Sequence, residues 1–163
     1  MSLFGRKRRS AEPTAVYESL RRQILELTAA ELGGAYAAAP ILALLMETGY
    51  REAVATLVGV IDGTTSLYFS NGGGMIGAGE HPAVAEANRR WLEAGRTFLP
   101  ALAEVADPSP PDNGMTQFVA VTPHGLRGAV AVEDDLGNNR HALSPFFYAA
   151  QDVITQIRLT LGD

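Results

Sequence analysis

Cysteine is absent from the 163-residue chain. Its absence excludes disulfides, thiol nucleophiles and every cysteine-based metal or iron–sulfur site, and it suits a reducing compartment. Long apolar runs are missing too. No stretch approaches the roughly eighteen residues of a membrane span, and none joins a charged start to an apolar middle and a small-residue cleavage site. The expected location is therefore the cytoplasm. Basic side chains are scarce outside one place. Four of the thirteen stand together at Arg6, Lys7, Arg8 and Arg9, so the rest of the chain carries nine against eighteen acidic residues. An acidic body with no basic stripe lacks the electrostatic footprint of a nucleic-acid binder. The basic cluster, with Leu3 and Phe4, is the one segment suited to an anionic membrane surface. Four charges are few for that purpose, and residues 1–12 are expected to form a solvated tail.

At 47% hydrophobic residues, a chain of this length supports one core, placed at residues 13–163. Val16, Tyr17, Leu20, Ile24, Leu27 and Leu32 recur at helical spacing behind the capping residue Thr14, which predicts a helix over 14–32 broken by Gly33 and Gly34. Pro40 followed by the apolar run 41–46 predicts a second, short helix ending at Gly49. Two β-rich runs, 54–61 and 64–70, flank Asp62-Gly63, a strong hairpin signal because both turn residues need positive φ. A helix opens at Pro82 and runs to about Glu104, with Val84, Asn88, Trp91, Leu92, Gly95, Phe98, Leu99 and Leu102 on one face. A proline-stiffened linker at 107–114 leads into a second hairpin turning at 122–125. Ser144 and Pro145 then cap and open the last helix, which buries Phe146, Ala150, Val153, Ile154, Ile157 and Leu161. The expected fold is an α/β sandwich of two or three layers. Its antiparallel sheet has four to five strands built from two hairpins, and three main helices flank it.

The stretch "DGTTSLYFSNGGGMIGAGEHP" holds five glycines between Gly72 and Gly79. Each surplus glycine costs about 0.5–1 kcal/mol in ordering entropy, so the loop needs a reason. Gly72, Gly74 and Gly77 formally satisfy the dinucleotide pattern G-x-G-x-x-G, but the preceding strand belongs to an antiparallel hairpin and the helix starts only near Pro82. An anion loop needs a complementary cation. None lies between Asn71 and Asn88, and Glu80 adds a negative charge. What is left is close approach, to the chain's own sheet or to a second surface. Candidate binding or interface residues are Ser70, Asn71, Gly72, Gly73, Gly74, Gly77, Gly79, Glu80, His81 and Asn88. Asn88, polar on an apolar helix face, is expected to bond loop carbonyls between Gly72 and Gly79.

Catalytic chemistry finds little support. Ser66 or Ser70 with His81 is the one nucleophile and base pair that chain order brings near, and alternation is expected to turn Ser66, Tyr68 and Ser70 outward while Leu67 and Phe69 face the core. Glu133, Asp134, Asp135, Asn138, Asn139 and His141 are rich in oxygen ligands, but their spacing fails the EF-hand pattern and reads as a solvated turn. No enzyme activity, metal or cofactor is expected.

With the Asp-Gly hairpin, Ser70, the glycine-rich loop and the helix carrying "AVAEAN" in place, residues 53–132 resemble the Roadblock family of profilin-like and longin-like folds. That resemblance implies a small homodimer that scaffolds or regulates small Ras-like GTPases and has no catalytic residue of its own. The chain is also similar to type III secretion chaperones, which are small, acidic and dimeric. They place three strands before the middle helix, and here the third would fall in "MIGAG". That likeness implies an effector as partner, and a small-ligand sensor using the glycine loop is a further alternative.

Overall fold

The computed structural model describes residues 13–161, so the basic tail expected at residues 1–12 lies outside the described residues. Helix α1 (Ala15–Leu25) is followed by β1 (Ala43–Gly49), β2 (Val54–Val60), β3 (Thr65–Phe69) and the two-residue β4 (Gly74–Met75). Then come α2 (Pro82–Phe98), β5 (Ala103–Val105), β6 (Met115–Thr122), β7 (Gly125–Val132), the short α3 (Glu133–Gly137) and α4 (Ser144–Leu161). The strands form one sheet in the order β4-β3-β2-β1-β6-β7-β5, with every neighbouring pair antiparallel. The fold is thus mixed α and β, with seven strands where four to five were expected. Among the described residues no helix is long and apolar enough to cross a membrane.

The largest correction concerns residues 41–46. They are no helix: Ile41 and Leu42 lead into β1, which begins at Ala43 and is the middle strand of the sheet, buried along its whole length. A strand covered on both faces shows no alternation, and a short apolar run of that kind cannot be told from a buried helix by periodicity. Smaller differences lie at element ends and in the shortest elements. The first helix stops at Leu25, with a separate 3₁₀ turn at Ala30–Leu32. The middle helix gives way after Phe98 to a 3₁₀ turn and β5, and β4 and β5 are too short to leave a sequence pattern. The stretch 133–137 is a helical turn. The two hairpins and the last helix stand where the sequence puts them, although Leu161, expected to be buried, is exposed, and Gly33 closes the 3₁₀ turn and not the first helix.

Helices cover both faces of the sheet. On one side α2 and α4 bury Leu44, Met46, Leu57, Phe118, Ala120 and Ala131. Phe146 is the centre of that layer, with ring centroids 4.8 Å from Phe118, 5.6 Å from Phe98 and 6.5 Å from Trp91. On the other side α1 lies over Ala43, Leu45, Val58, Val60, Tyr68, Val119 and Val121 through Tyr17, Leu20, Ile24 and Leu25. Ser66, Tyr68 and Ser70 belong to this second face and are buried rather than turned outward. The expectation assumed one covered face; α1 supplies the second cover.

Beneath α1 the apolar face is interrupted by Glu47, which is fully buried. Its carboxylate accepts from Arg21 Nε at 2.7 Å and Nη2 at 2.9 Å, from Thr56 Oγ1 at 3.0 Å and from Gln117 Nε2 at 3.1 Å. Thr56 and Gln117 are its cross-strand neighbours on β2 and β6, so register alone delivers two of the donors. Arg21 Nη2 also donates to Pro108 O at 2.7 Å and Gln117 Nε2 to Ser109 O at 2.8 Å, which ties the linker to the same point. Tyr17 OH lies 2.9 Å from Thr56 Oγ1. Burial, and after it the charge on Glu47, pushes the Tyr17 hydroxyl up to about 12, so Tyr17 stays protonated as a donor through neutral pH.

Removing one partner of a buried ion pair strands the other charge. Arg21→Met is expected to cost about 3–5 kcal/mol in urea unfolding. The double variant Arg21→Met/Glu47→Gln should recover more than half of that loss, because a neutral carboxamide keeps Thr56 and Gln117 as partners. Equal losses in the single and double variants would show that the pair does not anchor α1.

Candidate functional site

The glycine loop joins β3 to α2 at one edge of the sheet. Phe69 N–H bonds Gly73 O at 3.2 Å and Gly72 N–H bonds Phe69 O at 3.0 Å, which reverses the chain so that β4 can pair back on β3. Gly73 has φ +84° with open space around it, so its requirement is conformational alone. Gly74 has φ +135° and lies opposite Tyr68, where a Cβ would run into Leu67 O and the Tyr68 main chain. Gly79 has an ordinary φ but sits against Gly63 O in the turn of the first hairpin, leaving no room for a side chain. The loop therefore packs on its own sheet at both ends, which accounts for much of its glycine. Between those contacts Ile76 is 65% exposed, beside Gly77 in a left-handed conformation.

The other candidate residues divide by surroundings. Ser70 is buried, its Oγ accepting from Val54 N–H at 2.8 Å and its carbonyl from Thr14 N–H at 2.9 Å. Thr14 in turn caps α1 by accepting from Tyr17 N–H at 3.1 Å, so the loop's first residue and the first helix are joined. Asn71 and Glu80 are exposed. His81, also exposed, stands at the start of α2 with its main chain bonded to Ala78 O and its side chain making no capping bond. Ser70 is thus committed to β2 while His81 faces outward, and no hydrogen bond joins them. The dinucleotide pattern also sits in the wrong setting: β4 and a 3₁₀ turn at Ala78–Glu80 intervene before α2 begins.

Asn88 departs from expectation. It is buried, but its Nδ2 donates to Val60 O at 3.2 Å, at the end of β2, and not to the glycine loop. Its Oδ1 has no partner and faces Gly59, where any Cβ would collide with it and with the Trp91 ring. Gly59 therefore lets α2 lie against β2, and Asn88 pins that crossing. A cavity of about 360 Å³ opens beside it, lined by Pro40, Ile41, Ile61, Gly63 and Leu92, with Arg89, Glu93 and Arg96 exposed around it. Arg89 is engaged with Glu86 at 2.7 Å and Glu93 at 3.3 Å.

The acidic stretch after β7 is occupied with itself. Arg140 pairs with Asp134 and Asp135 at 3.2 Å each, and Asn138 Nδ2 bonds Asp134 O at 2.7 Å. Burial, then the neighbouring Asp134, raises the Glu133 carboxyl above the usual range. Among the described residues no group of three acidic or histidine side chains is placed to hold a metal ion. Sequence reasoning missed the exposed apolar residues Phe69, at the end of β3, and Ile76, in the loop, because glycine spacing drew attention to the backbone. The signal for Ile76 was its place between glycines with no apolar period to assign it to a core.

The two neighbouring glycines give a contrast. Gly73→Val is expected to cost about 1–2 kcal/mol, the penalty of a left-handed φ, while Gly74→Val adds a main-chain collision and should cost at least about 3 kcal/mol. Gly73→Ala should fall near the lower value of the first range. Equal melting of both valine variants in thermal unfolding would show that the pairing of β4 on β3 does not hold the loop.

Compared with family models, with curated proteins and with solved structures, the chain matches none.

Proposed function

We propose that the chain is a homodimeric protein-interaction module, an adaptor or regulator working in the cytoplasm without catalytic machinery of its own. The observation that carries this reading is Ile76, 65% exposed on a loop whose ends are packed on the sheet, with Phe69, 36% exposed, at the end of β3 where that loop begins. An apolar side chain held out by an ordered loop is a binding anchor, because little conformational entropy is left to lose on contact. By the resemblance noted above, the partner class is a small Ras-like GTPase.

A second reading, a secretion-type chaperone, draws support from strand placement. Three full strands, β1 to β3, precede the middle helix, where sequence analysis had only two and a fragment. The two readings differ in the partner. A GTPase is stable when expressed alone, whereas a chaperone's effector aggregates without it.

The test is native mass spectrometry of the full chain purified from its own host, beside the variants Ile76→Ser and Phe69→Ser/Ile76→Ser. The parent is expected to carry a protein partner, with its identity separating the two readings. The double variant should lose at least tenfold in partner occupancy, with a melting temperature within about 2 °C of the parent since both side chains are exposed. Undiminished partner occupancy in the double variant would remove Phe69 and Ile76 from the interface.

A further inference from the structure

We propose that the uncovered half of the β7 edge is the surface through which two copies of this chain pair, an inference that rests on the homodimer reading above. β6 covers one side of β7 along its whole length, from Gly125 to Val132. On the other side β5 pairs only with Leu126, Arg127 and Gly128. Residues 129–132 therefore have no strand beside them among the described residues. Glu133 N–H bonds Gly114 O on the β6 side, so the alternation of an antiparallel ladder turns the main-chain groups of Val130 and Val132 outward. Their side chains are 54% and 43% exposed on the face that α1 covers further along, where Leu126 still packs under it. A free edge with exposed β-branched side chains is a template for strand addition.

The slot fits this chain's own strand. The pairing with β5 stops at Gly128, and β7 itself ends at Val132, where α3 begins. An antiparallel copy placed with Ala131 on the two-fold axis sets Val130 opposite Val132 of the second copy, and Val132 opposite its Val130. Each of these pairs exchanges both main-chain hydrogen bonds and joins two valine side chains across the axis. Ala129 falls opposite Glu133 of the second copy, a small residue facing a larger one. The second chain then leaves the edge as α3 and does not run into β5. Glu133, the acid nearest the axis, faces Ala129 and not another charge, and Asp134 and Asp135 beyond it share Arg140 within each copy. This is an isologous contact, closed by its own symmetry. An edge this short belongs to the smaller, weaker class of interface, so dimerisation is expected at micromolar concentration and not below.

The test compares sedimentation of the full chain with Val130→Lys, with the control Leu159→Lys on the exposed side of α4, and with the double variant Val130→Cys/Val132→Cys. The parent and the α4 control are expected to be dimers at tens of micromolar. Val130→Lys should weaken association at least tenfold. Because the parent has no cysteine, oxidation of the double cysteine variant should give a covalent dimer reversed by reductant. A monomeric parent across the range would overturn both the homodimer reading and this surface. A dimeric parent with Val130→Lys still fully dimeric, or a cysteine pair that never cross-links, would leave the homodimer standing and remove β7 from it. Should Val130→Lys fail to fold, the cross-link decides alone.

Discussion

The position of α1 depends on a single carboxylate. Apolar contacts hold a helix to a sheet without fixing its rotation or its slide, since burial has no direction. Glu47 supplies the direction. It lies on the middle strand in a row that crosses the sheet, with Tyr68, Thr56, Glu47 and Gln117 side by side on β3, β2, β1 and β6. Arg21 can meet it with two nitrogens only when α1 lies at one angle and one height. The same arginine and Gln117 reach on to Pro108 and Ser109, so the segment that carries the chain from β5 to β6 is placed by the network too. A buried ion pair of this kind adds little net stability compared with a packed apolar pair. Its value is that competing placements of α1 leave a bare charge under the helix.

How much of this was legible follows from what each element must show in sequence. The first hairpin was clear because its turn has local chemistry: Asp62 Oδ1 accepts from Thr64 N–H at 2.9 Å and Gly63 takes φ +100°. The last helix announced itself through Ser144 and Pro145 and an apolar stripe at the right period. β1 was hidden because both of its faces are buried, so "ALLMETG" carries no alternation. In that run Glu47 was the anomaly, and Tyr17 and Arg21, one turn apart on α1, were its complement. Those two facts are far apart in sequence, and only a sheet with covers on both faces joins them. The glycine loop was legible as a site of close approach, and Gly74 and Gly79 bear that out against the chain's own sheet. What lies beyond the loop is a question for Ile76, on which the glycine spacing is silent. Asn88 was expected to bond the glycine loop; its partner is instead Val60 O, at a strand end that α2 crosses and no sequence spacing marks.

The two edges of the sheet are finished differently, and this asymmetry bears on function. At the β3 edge a two-residue strand and a glycine loop blunt the edge, and the exposed groups there are side chains, Phe69 and Ile76. At the β7 edge three residues of β5 cover half the strand, and the exposed groups are main-chain donors and acceptors flanked by Val130 and Val132. Side-chain anchors suit a partner of different sequence, which can offer a pocket. A bare stretch of main chain suits another strand, and the strand at hand in every molecule is an identical one. Self-association at β7 and partner binding beside β3, as proposed above, would not compete for surface, since β2, β1 and β6 lie between them.

The glycine loop is also tied to the core beneath α1. Thr14 bonds Ser70 O at 2.9 Å, caps α1 three residues before Tyr17, and places its methyl near Gly72. Tyr17 and Arg21 then carry the same helix down to Glu47. The glycine loop is thereby held at three points: by β4 on β3, by Gly79 on the first hairpin, and by the start of α1. A loop of five glycines would be expensive to order when a partner arrives. Here the ordering is done by folding, and the helix that does part of it is the one whose place is fixed by a buried carboxylate at the centre of the sheet.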